Sequence, residues 1–378
     1  MKFIKNHLKL TIKLSIIILL VIILVLFILL KMNKGIAEWW TTHFVKGYLN
    51  FFGHITKYVP FSITEIVMMG VIILSILFLL FCLIYLFKKK FNKSLHSALN
   101  LTLTLLTVVT LYQITAEMAY NREPVNVPLY ENKVEKTEFR KVIEHYIIDL
   151  NECCDHLEFK SDGDLIEPLS HQELNRLLEE EYKKYPGEYL LNFSTFAKPM
   201  ATSFIYREFH ITGVTFMPTA EANVNTMNVS SGKPFTYAHE LAHTKGAMRE
   251  EDADLIASYI TLNSDSYYLR YSGYYYTIGS LLNLARYTGN ESDYQEVVNM
   301  IDSRFLLNNK FCNEYWSKHN SWANFANWWN NLYLKISGEK DGTDSYGDDT
   351  PTIDPSKQEI TSFSSYQKLY FYFYYQNL

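Results

Sequence analysis

Three long apolar runs constrain this chain most, because a segment that crosses a bilayer must satisfy its backbone hydrogen bonds within itself. Leu14 to Leu30 is apolar apart from Ser15, and its neighbours extend the run to about 10–31. A second run, 63–87, ends at Lys88-Lys89-Lys90. The third, about 95–118, is interrupted by Asn100 and several threonines, polar residues that belong against neighbouring helices rather than lipid. A cleaved signal peptide carries a shorter apolar core and a small-residue cleavage site. No such site follows Leu30, so the first run is expected to stay in place.

Lysines in the short flanks predict the orientation. Lys2, Lys5, Lys9 and Lys13 lie on the same side as Lys88, Lys89, Lys90 and Lys93, against Lys31, Lys34, Lys46 and Lys57 in the first loop. The richer side is the cytoplasmic one, so the N-terminus is expected inside and everything after the third run outside. The first loop also carries Trp39, Trp40, Phe44, Tyr48, Phe51 and Phe52, the pattern of an amphipathic segment at the interface. Residues 1–118 thus form a membrane region, and 119–378 an extracytoplasmic domain. A net charge of -5, with no basic strip outside the membrane flanks, gives no reason to invoke nucleic acid.

Within 119–378 the most informative stretch is His239-Glu240-Leu241-Ala242-His243. On a helix, positions i and i+4 share a face, so both imidazoles can reach one metal ion. Glu240 lies about 100° round the helix and can address water at that metal as a general base. Ser230-Ser231-Gly232 and Pro234 mark the helix start, and Gly246 suits a left-handed stop. The segment Arg249 to Ile260 reads as a second helix, acidic in its first turns and apolar at Ala253, Ile256, Ala257 and Ile260. A catalytic zinc takes three protein ligands, and a ligating histidine wants a carboxylate on its other nitrogen. Glu250 is therefore assigned as third ligand and Asp254 as the partner of His239. Glu251 and Asp252 are rivals for either role.

Glu250-x-x-Ala253-Asp254 resembles the second motif of the gluzincin metallopeptidases, whose ExxxD helix supplies the third ligand and an orienting aspartate. Gluzincins usually place a longer insertion between the two motifs. The tight Gly246 turn is similar to that of the metzincins, but their third histidine would fall at Arg249, which cannot ligate. Most of the chain also resembles an uncharacterised bacterial membrane family, domain of unknown function 3810. The likeness rests on Val59-Pro60-Phe61-Ser62, Tyr120-Asn121-Arg122-Glu123-Pro124, Gly213, Glu221-Ala222-Asn223-Val224-Asn225, the block from His239 to Ala253, and Tyr271-Ser272-Gly273-Tyr274. It continues through Tyr333-Leu334-Lys335, Asp341-Gly342 and Ser345-Tyr346-Gly347. This resemblance implies three spans and an extracytoplasmic HExxH domain, and brings no substrate. Where that family reads Glu-Asp-Glu-Ala-Asn, this chain has Glu250-Glu251-Asp252-Ala253-Asp254, an acid in place of the final amide.

The expected fold is mainly α, three transmembrane helices followed by a mostly helical zinc-metallopeptidase-like domain with a small β element. Residues 134–190 look helical, with Phe139, Val142, Ile143, Tyr146 and Ile147 on one face. From Phe204 to Met217 the pattern turns to strand. Residues 211–217 are a candidate substrate-pairing edge, with Asn223 and Asn225 as side-chain contacts; an ordinary packed strand and loop is the alternative. Tyr274, Tyr275 and Tyr276 are candidate oxyanion donors. Cys153, Cys154 and Cys312 read as buried thiols, with a bridge from either of the first two to Cys312 as the alternative. Asp341, Asp344, Asp348, Asp349 and Asp354 lie in a loop-like stretch without EF-hand spacing, and Tyr366 to Tyr375 reads as a closing helix.

The expected function is a membrane-anchored zinc-dependent hydrolase, a metallopeptidase working on envelope or secreted polypeptides. Its partners would be Zn2+, the lipid bilayer and the polypeptide substrate. The alternative is a non-catalytic structural or sensory membrane module with a zinc site.

Overall fold

The computed structural model describes residues 2–132, 134, 136–191, 193–288, 291–337, 352–354 and 359–376. Helices dominate, with two small sheets. The chain forms two compact units: Met1–Glu123 with Phe216–Glu221, and Pro124–Thr215 with Ala222–Leu378.

The first unit contains α1 (Lys2–Leu30), α2 (Lys34–Trp40), α3 (Lys46–Lys57), α4 (Ile63–Phe87) and α5 (Phe91–Tyr112). Three stretches, His7–Leu30, Ile63–Phe87 and Phe91–Asn121, are long and apolar enough to cross a membrane, with mean hydropathy 3.4, 3.1 and 1.4. Leu19, Ile22, Ile73 and Leu80 are exposed on them, apolar surface that points to membrane association. The interrupted third run packs against both α4 and α1. Its Asn100 Oδ1 accepts from Lys13 Nζ at 2.5 Å, which gives that polar side chain a neighbour on another helix. Arg122 is buried and grips the Glu38 carboxylate with two bonds of 2.8 Å, tying the end of the third run to α2. Trp40 tucks in, donating Nε1–H to the Ile114 carbonyl, whereas Trp39 and Phe51 stay exposed. The segment Phe216–Glu221 belongs here too. The Thr64 amide and hydroxyl donate to Glu221 Oε2 at 2.7 and 2.9 Å, and Tyr48 donates to the Pro218 carbonyl.

The second unit contains α6 (Lys136–Asp155), α7 (His171–Lys183), α8 (Ser203–Glu208), α9 (Lys233–Thr244), α10 (Glu250–Leu262), α11 (Tyr267–Thr288), α12 (Glu291–Asn299), α13 (Ser303–Lys318), α14 (Ala323–Ser337) and α15 (Ser365–Gln376). Strands β1 (Lys198–Pro199), β2 (Gly213–Phe216) and β3 (Glu221–Val224) form one sheet in the order β1-β3-β2, so β2 lies at an edge. Strands β4 (Thr352–Asp354) and β5 (Glu359–Ser362) pair antiparallel. Helix α11 is central, packing on α6, α9, α10 and α15. The expected face of α6, Phe139, Val142, Ile143, Tyr146 and Ile147, is buried in that core.

Three expectations need correction. The helical stretch 134–190 is broken between Asp155 and His171 by a turn at Gly163, φ 94°, where a Cβ would meet the Leu307 carbonyl oxygen at 2.7 Å. Helix α7 then restarts at a capping box in which Ser170 and Glu173 satisfy each other's backbone amides. The strand expected from Phe204 shrinks to Gly213–Phe216, and Ser203–Glu208 is a helical turn instead, because only the shorter run has a pairing neighbour. Asp354 closes β4 rather than lying in a loop; Asp341, Asp344, Asp348 and Asp349 lie outside the described residues. The closing helix docks on the core through Tyr370 and Phe371. Cys153, Cys154 and Cys312 are free, buried thiols, and burial pushes their pKa values up to about 12, 12 and 11.

Candidate metal centre

Helix α9 starts where a turn meets a helix-compatible proline: Gly232 is the N-cap, and Pro234 occupies a first-turn position whose N–H has no helical partner. The Phe235 amide, another of those orphan donors, is satisfied by Ser272 Oγ at 3.0 Å. Phe235, Ala238, Leu241 and Ala242 are buried, which fixes the rotation of the helix and leaves His239 and His243 on a shared face. Gly246, φ 91°, ends the helix in a Schellman turn. Its amide bonds the His243 carbonyl at 3.0 Å, and the Ala247 amide bonds that of Ala242 at 3.2 Å. The turn has a second consequence: it brings the Ala247 carbonyl within 2.7 Å of His243 Nδ1.

The chain then reverses into α10, whose first residue is Glu250. His239, His243 and Glu250 each offer one ligand atom, all within 4.8 Å of one another, the one such trio among the described residues. The Nε2 atoms of the two histidines are 3.0 Å apart, and Glu250 Oε2 is 3.2 and 3.6 Å from them. His239 Nδ1 faces Asp254 Oδ1 at 2.6 Å. Each Nδ1 therefore meets an obligate acceptor and carries the proton, which leaves each neutral ring with a lone pair on Nε2. Two lone pairs and a carboxylate oxygen then point at one another. All three side chains are largely buried, at 13%, 7% and 12% exposure, so solvent does little to relieve the conflict.

Either a bound cation or added protons can relieve it. Without a cation, burial works to lower the pKa of both histidines. For His239 the Asp254 and Glu250 carboxylates outweigh burial and hold the pKa well above the usual imidazole range. For His243 the Glu250 carboxylate raises it against burial and the nearby His239 charge. Burial also works to raise Glu250, but the two imidazoles overcome it and depress the carboxyl strongly. Glu240 differs: burial raises its pKa, opposed by His239, His243 and a hydrogen bond from Thr215.

Residues 40–350 match the family described as Protein of unknown function (DUF3810). The chain belongs to that family. The match takes in α4, α5 and the whole of the α9–α10 cluster. No curated protein and no solved structure matches the chain.

Against this geometry the rival acids of this family member are readily sorted. Asp252 is occupied by Arg249, at 2.8 Å from Nε, and by the Val125 amide at 3.1 Å. Glu251 is exposed, about 100° round α10 from Glu250. Of the three tyrosines, Tyr274 donates to Asp149, and Tyr275 lies beside Cys312. Tyr276 is the one near the cluster. Its ring stacks on Phe235, its hydroxyl lies 3.3 Å from Thr236 Oγ1, one turn before His239, and the Asp254 charge reaches it. Asn223 and Asn225 are buried and donate to the Val214 and Ile211 carbonyls at 3.1 and 2.9 Å; they brace β2 rather than offer a contact to a ligand. Sequence reasoning missed Thr215, whose hydroxyl is 2.6 Å from Glu240 Oε2, and the packing of Gly213 against the same side chain. A strand over 211–217 puts positions 213 and 215 on one face, but nothing in the sequence names the helix they meet.

Proposed function

We propose that this chain is a membrane-anchored zinc-dependent hydrolase, a gluzincin-like metallopeptidase acting outside the membrane on envelope or secreted polypeptides. The observation that carries the reading is the convergence of His239 Nε2, His243 Nε2 and Glu250 Oε2, with Glu240 beside the first of them. Separations of 3.0, 3.2 and 3.6 Å bracket the edge of about 3.3 Å that tetrahedral zinc with nitrogen and oxygen ligands requires. The donor set fits zinc, and two imidazoles with one carboxylate leave a fourth position for chemistry.

Zinc, when bound, supplies a Lewis acid that activates water and polarises a carbonyl. Asp254 and the Ala247 carbonyl hold the Nδ1 protons, so that each histidine presents Nε2. Glu240 takes the proton of the attacking water and returns it to the leaving amine. Its burial brings its pKa nearer the working pH, where a general base is most effective. On this reading Tyr276, nearest the cluster of the three tyrosines, would donate to the oxyanion, and the β2 edge would take an extended polypeptide. The lysine distribution keeps the N-terminus in the cytoplasm and puts this machinery on the outer side.

The test is zinc per chain in the full-length protein in detergent, beside His239→Ala and Glu250→Ala, with Glu240→Gln assayed on a peptide library. Near-stoichiometric zinc, lost in the first two variants, with hydrolysis lost in the third, is the expected result. A folded wild type that takes up no zinc overturns the proposal. Zinc without hydrolysis beyond the Glu240→Gln level leaves the non-catalytic module.

A further inference from the structure

We propose that Gly213 and Thr215 form the seat of the base Glu240, holding one carboxylate oxygen and freeing the other for the proton. The proposal rests on the hydrolase reading above and adds two positioning residues to it. Residues two apart on a strand share a face, and Gly213 and Thr215 both meet Glu240 of α9. Thr215 Oγ1 lies 2.6 Å from Glu240 Oε2 and 3.0 Å from the Glu240 carbonyl oxygen, so one hydroxyl reads both the side chain and the backbone of the base. Gly213 supplies the room. A Cβ there would stand 2.4 Å from Oε1, 2.5 Å from Cγ and 2.7 Å from Cδ, so any other residue displaces the carboxylate.

The strand is itself fixed. Asn223 Nδ2 donates to the Val214 carbonyl, Asn225 Nδ2 to that of Ile211, and the Asn225 amide to that of Thr212 at 2.8 Å. Both asparagines are 1% exposed, so β2 is held by buried amides while its Gly213–Thr215 face holds the base. No donor among the described residues reaches Glu240 Oε1, which is the oxygen left to accept the proton. A hydrogen bond on one oxygen only is what a carboxylate needs if it is to be oriented and still basic.

The experiment uses zinc-loaded full-length protein in detergent, with Thr215→Val, Thr215→Ser and Gly213→Ala. The readouts are zinc content, thermal midpoint and affinity for acetohydroxamate, which chelates zinc while its hydroxyl proton passes to a neighbouring carboxylate. Thr215→Val leaves the carboxylate without the contact that orients it, and this misplacement of the proton acceptor, outweighing the gain in its basicity, predicts about tenfold weaker acetohydroxamate binding at unchanged zinc content. Thr215→Ser, which keeps the hydroxyl, stays within about twofold of wild type. Gly213→Ala weakens binding at least as much as Thr215→Val, and it tests the seat even if a Thr215 variant does not fold. Unchanged affinity in zinc-loaded Thr215→Val and Gly213→Ala overturns the seat and leaves the hydrolase reading standing. A wild type without zinc overturns both.

Discussion

Two of the histidine–carboxylate clusters in the second unit stand in contrast, one between α9 and α10 and one between α6 and α11. In the second cluster, Asp149 Oδ2 lies 3.5 Å from His145 Nε2 and 3.3 Å from the Tyr274 hydroxyl, beside a cavity of about 230 Å³ that Arg270 also lines. There, one carboxylate faces a tyrosine hydroxyl that donates to it and an imidazole beside it. Between α9 and α10, three acceptors instead face one another, with their own donors turned outward to Asp254 and the Ala247 carbonyl. The residue types are alike, so composition does not separate a metal centre from a structural ion pair. The direction of the lone pairs does.

The comparison breaks first on zinc retention. Glu250→Ala and His239→Ala are expected to take zinc from about one per chain to near zero, since a catalytic site of three ligands fails when one is lost. His145→Ala and Asp149→Asn are expected to leave it unchanged. Elemental analysis after dialysis decides; zinc lost with His145 would refute the distinction. Next in size, Glu240→Gln should lower turnover by roughly 10²–10⁴ while zinc is retained, as removal of a general base does. Peptide hydrolysis beside metal analysis measures it.

A smaller effect separates ligand from partner. Asp254→Ala should weaken zinc by about 10–100-fold, the usual cost of losing a carboxylate behind a ligating histidine. A competition titration with a chromophoric chelator reads it, and an affinity equal to wild type would release Asp254 from the role. The smallest effect tests the self-satisfied cluster. Burial raises the Asp149 pKa, opposed by His145, Arg270 and the Tyr274 hydrogen bond. A carboxyl raised by folding costs stability above its folded pKa, and the cost disappears as pH falls through the unfolded value. Asp149→Asn should therefore raise the melting temperature slightly at pH 7 and change it little near pH 3. An equal shift at both values would show that the charge is not responsible.

How much of this was legible depends on how far each cause reaches along the chain. The long helices follow from apolar runs, and the α9 histidines from an i, i+4 spacing that any helix honours. The stop at Gly246 follows from the φ 91° that glycine adopts most readily. The α10 helix likewise announces itself through its acidic first turn. The break at Gly163 was harder to see, because the close approach of Leu307 that requires glycine there comes from far along the chain.

The sequence by itself determined that the chain is mainly helical, that three helices are apolar enough to cross a membrane, and that two histidines share one helix face. These rest on hydrogen bonds and side-chain spacings a few residues long. Only the tertiary structure decided the rest: Glu250 meets both imidazoles, Arg249 and the Val125 amide occupy Asp252, and Tyr276 rather than Tyr274 lies near the cluster. It alone also revealed that Gly213 and Thr215 press against Glu240. Those pairings join residues on different elements, and their geometry is set by which faces are buried together, a property that no single stretch of chain contains.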